Sequence, residues 1–251
     1  GNVWIGARSA LLRTHGDEMQ FIEHFGGTAD ANILSVVIDS SGDLWFSNSE
    51  GLFKRTRNEN GSDIYVRPLA NTSYEKYRVI SLYEDVHGNI WAGLYGEGVI
   101  RIQPDTDQII HLRKQLKNGN VLGIAGNEQD VWLATLGGAS RIDLRTLNVR
   151  NYTQEDGLVS DFIYQVFSDR KGRVWFGTDG KGVVMMDEKG FHHFEQVRGS
   201  NVAFGFAEDT NGHIWANIQG DALYRYDGER FSAMDSLAIR SEHVYGFTSD
   251  K

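Results

Sequence analysis

Cysteine is absent from the 251 residues. That excludes disulfides, thiolate metal sites and cysteine nucleophiles, and it suits cytoplasm and periplasm alike. Only two prolines stand against 29 glycines, which favours many glycine turns and disfavours a proline-rich linker. No apolar run approaches the length of a membrane span, so this segment is not expected to insert into a bilayer. Its N-terminus lacks the charged-then-apolar order of a signal peptide. Basic charge is short: 25 Lys and Arg face 34 Asp and Glu, a net charge of −9. With no basic face, nucleic acid is not an expected partner. Sustained helical periodicity is also missing, so almost no helix is expected.

Tryptophan is what the chain does have, in a regular place. Trp4, Trp45, Trp91, Trp132, Trp175 and Trp215 account for all six, at separations of 41, 46, 41, 43 and 40 residues. A period in that range marks a propeller or a solenoid. Each tryptophan sits in a strand-like run such as Leu44-Trp45-Phe46-Ser47 or Val174-Trp175-Phe176-Gly177. Such runs suit strands buried on both faces. Two residues on comes a small or fairly small side chain (Gly6, Ser47, Gly93, Ala134, Gly177, Asn217), which lets a neighbouring sheet approach closely.

A strand is predicted upstream of most tryptophans, at Ile33–Ile38, Val79–Glu84, Val121–Ala125, Ile163–Ser168 and Val202–Glu208, with a last one at Val244–Thr248. Four repeats join the two strands through D-x-x-G: Asp39/Gly42, Asp85/Gly88, Asp169/Gly172 and Asp209/Gly212. There the aspartate accepts backbone N–H groups and the glycine takes the left-handed conformation. The repeat at Trp132 has Gly126 and Gln129 in those places, and its turn is expected to differ. A third and a weaker fourth strand follow each tryptophan. Four antiparallel strands every forty-odd residues describe a propeller blade. The expected fold is an all-β propeller of six repeats in one domain, 1–251. It is either a six-bladed ring closed by Val244–Thr248 or an arc of a larger ring. Gly1 falls inside a repeat, which points to an excised or processed segment.

Tyr152–Ser160, reading YTQEDGLVS, together with Asp169 and Gly172–Thr178, reading GRVWFGT, closely resembles the two-component regulator propeller repeat. The turn-and-tryptophan half recurs along the chain. That resemblance implies the extracytoplasmic input region of a bacterial membrane-bound sensor, commonly a histidine kinase or hybrid two-component protein. It further implies a periplasmic location, attachment to the inner membrane through the parent protein, and in many cases a response to carbohydrate. A homodimer formed through the parent sensor and an oligosaccharide or other small ligand are the partners it implies. A propeller glycan hydrolase or lyase and an envelope interaction scaffold are the alternatives.

No catalytic residue, metal site or cofactor is assigned. One carboxylate per D-x-x-G turn is too few for a calcium site. The eight histidines show no H-E-x-x-H spacing, and His192 and His193, adjacent in a strand, point to opposite faces. Gly96-Glu97-Gly98 and Gly180-Lys181-Gly182 precede no helix and read as hairpin turns, not phosphate cradles. Arg78, Arg141 and Arg225 show no spacing that groups them. Recognition belongs on the loops that precede each first strand and join the second strand to the third. The candidate ligand-binding residues there are Asn32, Tyr77, Arg78, Tyr95, Asn120, Asp161, Phe162, Asp179, Asn201, Glu242 and His243.

Overall fold

The computed structural model describes residues 2–7, 10–15, 18–22, 32–194, 197, 202–219 and 221–234. Among them lie 23 strands in six antiparallel sheets, each sheet built from consecutive strands in chain order. Sheet one holds β1 (Asn2–Ala7), β2 (Ala10–His15) and β3 (Glu18–Ile22). Sheet two holds β4 (Ser35–Ile38), β5 (Leu44–Asn48), β6 (Gly51–Arg57) and β7 (Asp63–Val66). Sheet three runs from β8 (Val79–Glu84) through β9 (Ile90–Leu94) and β10 (Gly98–Gln103) to β11 (Gln108–His111).

Sheet four contains β12 (Val121–Gly126), β13 (Asp130–Thr135), β14 (Gly138–Asp143) and β15 (Val149–Tyr152). Sheet five contains β16 (Ile163–Ser168), β17 (Val174–Thr178), β18 (Val183–Asp187) and β19 (Gly190–Phe194). Sheet six contains β20 (Ala203–Glu208), β21 (Ile214–Ile218), β22 (Leu223–Tyr226) and β23 (Phe231–Ala233). Two three-residue 3-10 turns, at Arg113–Gln115 and Gln154–Asp156, are the helical segments among the described residues. The sheets are blades and the fold is an all-β propeller. Val244–Thr248, the strand on which ring closure depends, lies outside the described residues.

The chain divides into two compact units, Gly1–Arg113 with Gly119–Val121, and Lys114–Asn118 with Leu122–Lys251. Within each, the tryptophans build the core. Trp45, Trp91, Trp132 and Trp175 are at most 3% exposed, so they are packing units and not open sugar platforms. Trp45 packs with Ile90 and Ile100 of the following sheet. Trp175 stacks on Phe194 at 5.7 Å and meets Tyr226 of sheet six edge-on at 5.0 Å. Edge-to-face pairs of this kind add about 0.5–1.5 kcal/mol beyond the area they bury. The small residue after the tryptophan is demanded by that packing. A Cβ added at Gly177 would sit well inside van der Waals distance of the Ala203 carbonyl, and one at Gly93 would strike Ser81 and Val121.

One regularity escaped the sequence reading. The register puts a cation opposite five tryptophans: Arg13 against Trp4, Lys54 against Trp45, Arg101 against Trp91, Arg141 against Trp132 and Arg225 against Trp215. Lys54 Nζ lies 5.1 Å from the Trp45 ring centre, and Arg141 and Arg225 lie 5.9 Å from theirs. Met185 takes that place opposite Trp175. There Arg173 supplies the cation instead, 5.0 Å from Trp175 and 5.5 Å from Tyr226. Arg141 and Arg225 thus do have a spacing, nine or ten residues past their tryptophan. It drifts because the hairpin between the two strands is one residue longer in sheets three, five and six.

Candidate recognition loops

The two ends of each blade carry different chemistry. At the D-x-x-G end, one aspartate anchors the turn and the tryptophan together. Asp169 Oδ1 accepts from Lys171 N and Arg173 N, both at 2.9 Å, while Oδ2 accepts from Trp175 Nε1 at 2.8 Å and from Arg173 Nε at 2.6 Å. Asp39, Asp85 and Asp209 hold Trp45, Trp91 and Trp215 through Nε1 at 2.8, 2.7 and 3.0 Å. Each glycine lies in the left-handed region, as at Gly172 with φ 76°, where a side chain would be strained. The carboxylates are filled by their own turns, which makes them structural anchors. Burial pushes the Asp209 carboxyl up, but hydrogen bonds from Trp215, His213 and Asn211 outweigh it and bring it down to about 2.

Sheet four closes this end in another way, as its sequence foretold. Asn127 Oδ1 accepts from Gln129 N and Asp130 N, both at 2.9 Å, in a shorter turn. Asp130 pairs with Arg141 at 2.7 Å, and Trp132 stacks on Tyr152 at 5.4 Å.

At the opposite end, hairpin length sets the geometry. Two residues join β5 to β6 and β13 to β14, whereas the loops in sheets three, five and six are longer. In those three sheets the first loop residue donates its N–H to the carbonyl just before the first strand. Tyr95 N bonds Arg78 O, Asp179 N bonds Phe162 O and Gln219 N bonds Val202 O, each at 3.0 Å. All three sheets also show a register shift at the start of the first strand, between Val79/Ser81, Ile163/Gln165 and Ala203/Gly205. Such bulges re-aim side chains and are over-represented next to active sites.

The candidate residues fall into separate groups. In the first unit, Arg78 and Tyr95 come together: the guanidinium lies 5.9 Å from the Tyr95 ring centre, and Tyr95 is 56% exposed. Tyr77 is half-buried and packs edge-on against Tyr74 at 6.0 Å. Asn32 is exposed and Asn120 half-buried, each before the first strand of its own sheet. In the second unit, Phe162 and Asp179 share a backbone bond, and Phe162 is 51% exposed. Asp161 is half-buried, and its Oδ1 accepts from Gln154 N at 2.8 Å. Asn201, Glu242 and His243 lie outside the described residues.

The Thr153–Ser160 loop stiffens this second group. Thr153 and Asp156 form a capping box, Gly157 turns left-handed at φ 108°, and Leu158 is buried. Ser160 Oγ accepts from Phe162 N at 3.0 Å. Two aromatics missed in the sequence stand beside it. Tyr164, on the bulge of β16, meets Phe204 of β20 edge-on at 5.6 Å, and Gln165 Nε2 bonds Phe204 O at 3.4 Å. Alternation of apolar residues hid both as ordinary strand positions.

His192 and His193 take different partners, Asp187 Oδ1 and Lys181 O, both at 2.9 Å, so they do not share a site. Among the described residues no three potential ligands gather to hold a metal. Gly96–Gly98 and Gly180–Gly182 are the hairpin turns expected of them, with positive φ at all four glycines.

A fold of tryptophan-anchored blades with loops of this kind defines a β-propeller. Residues 157–180 match the family described as Two component regulator propeller, so the chain carries that repeat. No curated protein matches it. Among solved structures, it is similar to the extracellular domain of a protein assigned as a hybrid two component system from B. thetaiotaomicron. That match has 24% identity and a TM-score of 0.77, covering 95% of this chain and 33% of the other. Virginiamycin B lyase from Staphylococcus aureus shares 14% identity at TM-score 0.75, over 99% of this chain and 85% of the lyase. PorZ, a surface component of the type-IX secretion system of Porphyromonas gingivalis, shares 15% identity at TM-score 0.72, over 99% and 42%. At these identities the likeness shows the fold alone, and one fold hosts an extracellular domain of a two component system, an enzyme and a secretion component. The chain spans about a third of the extracellular domain that it matches.

Proposed function

We propose that this chain is a non-catalytic recognition propeller of a bacterial two-component sensor, placed outside the cytoplasm. One observation carries the reading. In a chain with a two component regulator propeller repeat, sheets three and five use the same backbone bond to hold an aromatic beside a charge, Tyr95 with Arg78 and Phe162 with Asp179. Large exposed aromatics on rigid loops have no packing role and suit a ligand. The ligand is a carbohydrate or another small molecule. Its signal passes through a longer, membrane-attached parent in the periplasm, as a change in domain packing or dimer geometry, to a kinase elsewhere in that protein. Every described carboxylate with a resolved shift is moved downward.

The test is an oligosaccharide binding panel on this chain, run beside the signalling output of the parent protein. Tyr95→Ala and Phe162→Ala are expected to silence the response without loss of folding. Turnover of a panel glycan, abolished by Asp161→Asn or Asp179→Asn, would instead establish a propeller hydrolase or lyase. The extent of the lyase match, 85% of that enzyme, keeps this second reading specific.

A further inference from the structure

In the second unit, three aromatic and two acidic residues fall at the loop end where β16 and β20 begin. Phe162 stands half-exposed immediately before β16. Tyr164 lies at the bulge two residues further on and meets Phe204. Asp161 precedes Phe162, and Asp179 is bonded through its backbone to the Phe162 carbonyl. The scaffold beneath is fixed by the Thr153–Asp156 box, the Ser160–Phe162 bond and the Gln165–Phe204 bond. Held this way, Phe162 keeps an apolar ring in water although burial would be favoured.

Charge decides what such a platform takes. At the equivalent place in sheet three, the exposed ring of Tyr95 is already accompanied by a guanidinium, Arg78. Sheet five uses the same backbone bond but sets an acidic residue, Asp179, opposite Phe162, with Asp161 next to Phe162 in the chain. Lys181 is the one cation of its hairpin loop, at the far end from Asp179. Aromatic faces attract cations through their quadrupole, and nearby carboxylates add a salt-dependent attraction.

We propose that Phe162, Tyr164 and Phe204, with Asp161 and Asp179, form a subsite for an organic cation: an ammonium or guanidinium group carried on a flat or apolar frame. The inference rests on the recognition reading above and names the ligand class for one of its loops. Cation and frame divide the work, with the ring face taking the apolar part and the carboxylates the charge.

The experiment is calorimetric titration of the full 251-residue chain with three probes at low salt: a glucosamine tetramer, its neutral N-acetylated counterpart, and a short arginine-containing peptide. The two cationic probes separate a sugar source from a peptide source. At least one is expected to bind, weakening by about tenfold in Phe162→Ala and by about fivefold in Asp179→Asn, and weakening again as salt rises. Melting temperatures of both variants are expected to match the parent chain, because both side chains are exposed. Equal binding of the neutral tetramer, indifference of the cationic probes to both substitutions, or no binding of either cation would overturn the proposal. If a neutral saccharide binds and is lost in Phe162→Ala, the cation class falls while the recognition reading stands. The parent protein's signalling output decides that reading independently.

Discussion

The two ends of the blade strands obey different rules. At the tryptophan end, four sheets repeat one solution: an aspartate carboxylate gathers its own turn and the indole N–H, and glycine closes the turn. At the other end, sheets with a longer hairpin loop acquire a backbone lock and a bulge, and the side chains on that frame differ from sheet to sheet. Uniformity marks what the fold needs. Variation on a rigid frame marks where recognition can be built. Arg78 with Tyr95 and Phe162 with Asp179 are two fillings of one frame.

Substitutions at the two ends should therefore separate stability from binding. The largest effect is expected at the tryptophan end. Asp169→Ala removes the partner of Arg173 and Trp175 in a buried site, and urea unfolding should show a loss of about 3–5 kcal/mol. A loss below 1 kcal/mol would mean that the anchor is decorative. Next comes the close approach of neighbouring sheets. Gly177→Ala forces a Cβ against the Ala203 carbonyl and should lower stability by about 1–3 kcal/mol, with no effect if the sheets can separate freely.

A subtler effect is pH dependence at the same end. Folded Asp209 titrates at about 2, against about 3.9 for an unfolded aspartate. A depressed value adds stability that is complete above the unfolded value and is lost as pH falls through the folded one. Melting temperature should therefore drop between about pH 4 and pH 2, and Asp209→Asn should flatten that drop. At the loop end the smallest stability effect is expected. Tyr95→Ala and Phe162→Ala should stay within about 0.5 kcal/mol of the parent chain. A larger change would show that these rings hold the fold and would break the comparison.

Much of the tryptophan end was legible in the sequence because its signals are local. Asp85, Gly88 and Trp91 lie within seven residues, and the structure places β8 and β16 on the residues proposed for them. The loop end was legible only as a region. Tyr164 and Phe204 are forty residues apart and meet through a bulge, and nothing in an alternating apolar strand announces an extra residue. The cation opposite five of the tryptophans was visible in principle, at Trp45 and Lys54 or at Trp215 and Arg225. A one-residue change in hairpin length blurred it. That same extra loop residue creates the backbone lock, so the irregularity that hid the arginines also marks the recognition loops.

The central claim is that ligand is read at the loop end and not at the tryptophan turns. Amide hydrogen exchange of the chain with and without a saturating amount of whichever cationic probe binds, glucosamine tetramer or arginine-containing peptide, tests it most directly. The account predicts added protection confined to residues 158–166 and 177–182. Protection centred on 169–175, or none at 158–166, would contradict it.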